Sequence, residues 1–80
     1  MREPSPQSAA FARTLRKLRR DRYLSQEDLA GRSGISAKHI GEIERAAKEP
    51  RLTTLMRLAS GLGVPAAEVI AIVELHLEAV

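Results

Sequence analysis

Hydrophobic residues recur every three or four positions along most of the chain, which is the repeat of helices that bury one face. The first such stripe is formed by Phe11, Leu15 and Leu18, and Ser8 is placed to cap its helix, which should end near Arg22. Further stripes predict an all-α fold with five helices. Residues 1–7 contain two prolines and are expected to form a disordered arm, which leaves residues 8–80 as a single domain.

Two short helices joined by a tight turn are predicted between about residues 25 and 45. Ser25 can cap the first helix, with Asp28 three residues later completing a capping box, and Ser36 can cap the second. Gly34, between them, can adopt the positive φ that closely spaced helices require. Such an arrangement is how small proteins present a helix to the major groove of DNA.

The helix after Ser36 should turn Ile40 and Ile43 toward the core. Its opposite face would then carry Ala37, Lys38, Gly41, Glu42 and Arg45. An ordinary surface helix also has a polar face. However, Gly41 should cost about 0.5–1 kcal/mol of helix propensity relative to alanine. Together with Ala37 it would let the backbone approach another surface closely, which favours a binding role.

The last predicted helix carries more apolar surface than one core needs. The fourth would bury a stripe and end at Gly63, with Pro65 opening the fifth, over about residues 66–80. The fourth helix's stripe is Leu52, Leu55, Leu58, Ala59 and Leu62, and the fifth docks through Val69, Ile70, Val73, Leu77 and Val80. A separate arc of Ile72, Leu75 and Ala79 is interpreted as a dimer seam. Alternatively, these are scattered surface residues.

Composition narrows the function classes. Aromatic residues make up only 2% of the 80 residues and cysteine is absent, so disulfides and thiolate metal sites are excluded. His39 and His76 fall on different predicted helices without ligand spacing, and neither a catalytic triad nor a phosphate-binding glycine loop is evident. The sequence therefore predicts a non-enzyme without a metal or cofactor. It also lacks a recognisable signal peptide or membrane segment, so a cytoplasmic location is expected.

Positive charge is concentrated on the segment that holds the two short helices. The net charge is +3, but residues 11–51 contain eleven basic and six acidic side chains, whereas residues 52–80 contain one basic and three acidic ones. A basic run is often only a solvated helix face. Because it coincides with the two-helix motif, we interpret it as a surface for phosphates.

The stretch from Leu15 to Val64 resembles the lambda-repressor and Cro type of helix-turn-helix domain, also called the xenobiotic-response-element family. The matching motifs are Leu15-Arg16-x-Leu18-Arg19, Leu24-Ser25-Gln26-Glu27-x-Leu29-Ala30, Gly34-Ile35-Ser36, Ile40-x-x-Ile43-Glu44-Arg45 and Pro50-x-Leu52-x-Thr54-Leu55-x-x-Leu58-Ala59-x-x-Leu62-Gly63-Val64. The length and the extra C-terminal helix are also similar to those of the small controller proteins of restriction-modification systems.

This resemblance implies double-stranded DNA as the partner and assigns residues to it. The base-facing positions of the family correspond to Ala37, Lys38, Gly41 and Glu42; Lys38 suits guanine, and Glu42 could accept from cytosine or simply pair with Lys38. The phosphate-contacting positions correspond to Gln26, Ser36, His39, Arg45 and Arg51. Arg19 and Glu44 match a structural pair, which we expect to be buried.

Three residues depart from the family pattern. Tyr23 and Ala46 stand where glycine is frequent, and Arg51 stands where a capping serine is often found. The changes at Tyr23 and Ala46 are expected to affect turn geometry more than function, and Arg51 should start the fourth helix less firmly than a capping serine would.

Two functional hypotheses follow. The first is a transcriptional regulator that binds a palindromic operator as a homodimer. The second is an antitoxin or regulatory subunit whose apolar C-terminal helix binds another protein, such as a toxin or RNA polymerase. The operator sequence, the regulated genes and the direction of regulation are not encoded in any recognisable motif.

Overall fold

The structure is a computed structural model and describes residues 3–78. These residues form five helices. They are α1 (Pro6–Asp21), α2 (Gln26–Ser33), α3 (Ala37–Glu44), α4 (Leu52–Leu62) and α5 (Ala66–Glu78). Residues 3–78 contain no strand. The predicted all-α class and the number of helices are therefore confirmed. The fold packs α4 against α2, α5 against α1, and α3 against both α1 and α2.

The first helix begins earlier than the sequence suggested. Ser5, not Ser8, is its N-cap, and the Ser5 hydroxyl accepts a hydrogen bond from the Ser8 backbone N–H at 3.0 Å. Pro6 fits the first turn, where a backbone N–H would have no helical partner. Ser8 is buried, and its hydroxyl donates to Glu49 Oε1 at 3.0 Å. Pro6 and Gln7 are thus helical rather than part of the predicted arm.

The caps of the two-helix motif agree with the prediction. The Ser25 hydroxyl accepts from the Asp28 N–H at 2.9 Å, and Asp28 Oδ2 accepts from the Ser25 N–H at 2.9 Å. Gly34 ends α2 in the left-handed conformation, with φ 76°. Ser36 then caps α3 by accepting from the His39 N–H at 3.1 Å. Because these bonds join groups within four residues of one another, the local sequence specifies the turn between α2 and α3.

The predicted stripes of α1 to α3 form the core. Leu15, Leu29, Ile40 and Ile43 are each no more than 1% exposed. Leu52, however, is 72% exposed, so its predicted place in the α4 stripe was wrong. It is the first residue of α4 and, at 100° per residue, lies at the edge of the face formed by the later leucines of that helix.

The fifth helix docks through a narrower face than predicted. Val69 and Val73 are buried, but Ile70 is 41% exposed, so its assignment to the docking face was wrong. Ile72, assigned to the outer arc, instead packs partly against the core. Helical geometry places Ile70 just beyond one edge of the buried face and Leu75 beyond the other. Leu75 is 62% exposed, whereas Ala79 and Val80 lie outside the described residues.

A polar contact also fastens α5 to α1. The Thr14 hydroxyl is fully buried and donates to the Ala10 carbonyl at 2.9 Å. It therefore accepts from His76 Nδ1, 2.8 Å away. His76 thus has a structural partner within the helical packing.

Two turns hold non-glycine residues in the left-handed region. Tyr23 has φ 56° and Ala46 has φ 59°, as the missing glycines suggested.

Within residues 3–78, no single helix combines the length and apolar character needed to cross a membrane; α4 and α5 meet those criteria only as a pair bent by 102°.

Candidate nucleic-acid interface

A buried ion pair supports the end of α3. Arg19 Nε donates to Glu44 Oε2 at 2.7 Å and Nη2 donates to Oε1 at 2.9 Å, while the two residues are 9% and 3% exposed. The hydrogen bond to Glu44 raises the pKa of Arg19 above its ordinary value, against the opposing effect of burial. Arg19 Nη1 also donates to the Leu24 carbonyl at 2.8 Å. The predicted pair is thus buried, and it ties α1 to α3 and to the turn before α2.

Gln26, at the first turn of α2, joins this network. Its Nε2 donates to Glu44 Oε1 at 3.1 Å, so the side chain lies across α3. A Cβ atom added at Gly41 would stand 3.6 Å from Gln26 Oε1 and 3.1 Å from Arg45 Nη1. These two side chains bury Gly41. Gly41 thus lies away from the core stripe of α3 but is covered, because long neighbours fold over the position that has no side chain.

The rest of the outer face of α3 is accessible. Lys38 is exposed and Ala37 is half-buried. One interpretation of the sequence was that Glu42 pairs with Lys38, but these two residues form no ion pair. Instead, Glu42 Oε1 lies 3.4 Å from His39 Nδ1. The three-residue spacing brings these two side chains together on one side of the helix.

The loop before α4 continues this face. Arg51 is exposed and is the N-cap of α4 without a side-chain hydrogen bond, in line with its departure from the capping pattern. It lines one surface depression together with His39 and Glu42. Lys48 and Thr54, which the sequence reasoning did not single out, line the same depression. The only signal for Lys48 was its place in a short basic loop.

The first helix adds positive charge on the other side of α3. Arg16 donates to the Glu44 backbone carbonyl, thereby satisfying an acceptor at the end of α3. Arg13 and Arg16 line a shallow depression with Arg45. In the sequence, Arg13 stands out only as part of the basic segment, and Arg16 also as part of the first family motif. Their position, one and two turns before Arg19 on the same helix, could have indicated that they approach α3.

Eight of the predicted site residues fall into three places. Gln26, Gly41 and Arg45 meet over the middle of α3, His39, Glu42 and Arg51 meet beside its outer face, and Ile72 and Leu75 lie on α5, which packs against α1 and α4. Among residues 3–78, no group of three or more histidine, aspartate or glutamate side chains is arranged to hold a metal ion.

Comparison with known proteins gives the same picture. Residues 10–71 match the helix-turn-helix domain family. The chain is 39% identical over 54 residues to y4dJ of Sinorhizobium fredii, named an uncharacterized HTH-type transcriptional regulator, and this match covers 68% of the chain and 70% of y4dJ. The chain spans 29% and 48% of two longer regulators, SutR of Escherichia coli and DdrOP3 of Deinococcus deserti.

Solved structures of restriction-modification controller proteins share the fold. C.AhdI from Aeromonas hydrophila superposes with a TM-score of 0.75 at 34% identity, over 78% of this chain and 94% of that one. C.Esp1396I superposes with a TM-score of 0.89 at 22% identity, over 95% and 99% of the two chains. The superposition with C.Esp1396I thus covers nearly the whole chain, whereas C.AhdI has the higher sequence identity of the two.

Proposed function

Because this chain belongs to the helix-turn-helix domain family and is a DNA-binding transcriptional regulator, we propose that it binds a palindromic operator as a homodimer, with α3 in the major groove. The observation that carries the proposal is the orientation of α3. Ile40 and Ile43 anchor it in the core, while Lys38 stands exposed on the other side. A rigid helix with a core-anchored face and an accessible polar face is what base readout requires.

We assign base readout to the outer face of α3. Lys38 is the donor for guanine O6 or N7, and Glu42 accepts from a cytosine amino group once it leaves His39. Ala37 and Gly41 are small, so they set how closely the helix axis approaches the base pairs. Gln26 and Arg45 cover Gly41 in the free chain. When DNA is bound, these two side chains either stay between Gly41 and the DNA or move away from Gly41.

Phosphate contacts are assigned to the rim of this face. Gln26 and Ser36 lie at the N-terminal ends of α2 and α3, where backbone N–H groups favour anions. His39 and Arg51 line the depression beside α3, at the side where a DNA backbone would pass. These four residues would fix the register of α3 without reading sequence.

The dimer is proposed to form through α5. Leu75 is 62% exposed, and Ile72 lies one turn before it at the edge of the core. Burying Leu75 in a two-fold contact would remove it from water and would bring together two copies of α3 for half-sites about 10 base pairs apart. A protein that stays monomeric when pure would instead favour the hypothesis of a different protein partner.

Selection of bound sequences from random duplexes tests the function directly. We expect an inverted repeat whose two half-sites are separated by about one helical turn. The affinity for the selected duplex should fall steeply with salt concentration, because several cations displace counterions from phosphates. Selection of no sequence, together with a flat salt response, would show that the chain does not act as a sequence-specific DNA-binding protein.

A further inference from the structure

The side chain of Arg45 occupies the outer face of α3. Arg45 follows the last residue of α3, and helical side chains lean toward the N-terminus, over the preceding turn. Its Nη1 atom lies 3.1 Å from where a Cβ atom at Gly41 would be. The guanidinium group therefore rests on the bare backbone of Gly41, in the position that a longer residue 41 would fill.

The guanidinium group has no acidic partner there. Among residues 3–78, none of the ion pairs includes Arg45. Both carboxylate oxygens of the adjacent Glu44 accept from other donors, Arg19 and Gln26. Arg13 and Arg16 on α1 line the same depression as Arg45 and add positive charge beside it. The donors of Arg45 are thus free for an acceptor brought by a ligand.

Gln26 limits the movement of this group. Gln26 is held by its hydrogen bond to Glu44, and its amide atoms lie 3.6–3.7 Å from the position of the missing Cβ of Gly41. The outer face therefore has two small residues, Ala37 and Gly41, followed by an arginine that folds back over the second of them. The guanidinium group thus lies over the same face of α3 that carries Ala37 and Gly41.

We propose that Arg45 is a specificity-determining residue that reads a guanine in the major groove, rather than one of the phosphate contacts. The inference rests on the proposed function, since it requires α3 to lie in that groove. The planar fork of an arginine donates to guanine O6 and N7 together, which a single phosphate contact does not require. Gly41 serves this role by leaving space for the fork on the helix face.

The test compares base selection by the full-length wild-type chain with that by the Arg45→Ala and Arg13→Ala variants. The wild type should select a guanine at one position of each half-site, with a preference of roughly 5- to 150-fold over other bases. Arg45→Ala should lose the preference at that position alone. Arg13→Ala removes an equal charge from neighbouring α1, so it should keep the guanine preference. Circular dichroism would confirm that each variant is folded.

A second measurement identifies the atoms involved. Replacing the selected guanine by 7-deazaguanine removes the N7 acceptor; this should weaken binding of the wild type but not of Arg45→Ala. If Arg45→Ala instead weakens binding equally for all sequences and lowers the salt slope by about one, Arg45 contacts a phosphate and the inference is wrong while the proposed function stands. If the wild type itself selects no sequence, both fail.

Discussion

Arg19 and Glu44 form a two-pronged ion pair, with 2.7 Å between Arg19 Nε and Glu44 Oε2, at the point where α1 meets the end of α3. Glu44 also accepts from Gln26 on α2. One buried carboxylate therefore sets the relative position of three helices, including both helices of the DNA-binding motif. The geometry of the proposed DNA face depends on this contact inside the domain.

Replacing one member of the pair should destabilise the protein more, per substitution, than replacing both members together. Arg19→Met or Glu44→Gln should each lower the free energy of unfolding by about 3–5 kcal/mol, because the remaining group loses its partner while still buried. The double variant should lose less than the sum of the two. Denaturant unfolding of the four proteins would measure this coupling. Small, additive losses would show that the pair does not stabilise the fold.

Asp28 should make the stability of the folded protein depend on pH. Hydrogen bonds from the Ser25 backbone and hydroxyl lower the pKa of Asp28 below its ordinary value. A carboxylate with a lowered pKa stabilises the folded state above its unfolded pKa, and this contribution is lost as the pH falls through the folded pKa. Asp28→Ala should therefore destabilise the protein at neutral pH, and its difference from the wild type should shrink as the pH falls below the usual aspartate range.

Thermal unfolding across this range measures the difference between Asp28→Ala and the wild type. Glu27→Ala serves as the control, since it removes a neighbouring negative charge from the first turn of α2 without removing a cap. A difference between Asp28→Ala and wild type that stays constant from neutral to acid pH would contradict the assignment.

Gly61 marks a close contact between α4 and α2. A Cβ atom there would lie 3.0 Å from the Ser33 Cβ and 3.2 Å from the Ser33 Cα. Because the backbone of α2 cannot easily move away, Gly61→Ala should destabilise the fold by about 1–3 kcal/mol. Gly31→Ala is the matched control. No atom lies within 4 Å of its added Cβ, so it should stabilise α2 by about 0.5–1 kcal/mol. Equal effects of the two substitutions on the melting temperature would show that helix propensity alone decides.

Tyr23 should be replaceable by glycine with a gain in stability. It holds a left-handed conformation at φ 56° and is 94% exposed, so little packing is lost with its side chain. Relief of the strained conformation should raise the free energy of unfolding by about 1 kcal/mol. Gly34→Ala, at φ 76°, should have the opposite effect. If Tyr23→Gly is instead less stable than the wild type in chemical unfolding, the aromatic ring contributes more to stability than the strained backbone costs.

Leu75 tests the proposed dimer. Leu75→Glu should weaken self-association about tenfold or more, because a charge replaces a leucine that the seam would bury. Ile70→Glu is the comparison, since Ile70 is the exposed apolar residue on the other flank of α5. Sedimentation over a dilution series would give the molecular mass of each variant. If Ile70→Glu is monomeric while Leu75→Glu remains dimeric, the dimer interface lies on the Ile70 flank of α5 and the proposed seam is wrong.

Local signals in the sequence determined the helices and most of their ends. The Ser25–Asp28 capping box, the left-handed Gly34 and the Ser36 cap depend on groups within four residues of one another, and periodicity places Ile40 and Ile43 inside for the same reason. The Arg19–Glu44 pair was also expected, but only because the family resemblance connected two residues far apart in the chain.

Apart from the Arg19–Glu44 pair, the contacts between helices were decided by the tertiary structure. Ser8 became a buried partner of Glu49 instead of a cap, Gly41 came to lie beneath Gln26 and Arg45, and Gly61 met α2. Periodicity gives the direction of a side chain from its own helix, but burial depends on the side chains of other helices. The sequence therefore indicated which face of α3 turns outward, and packing decided which of its residues are covered.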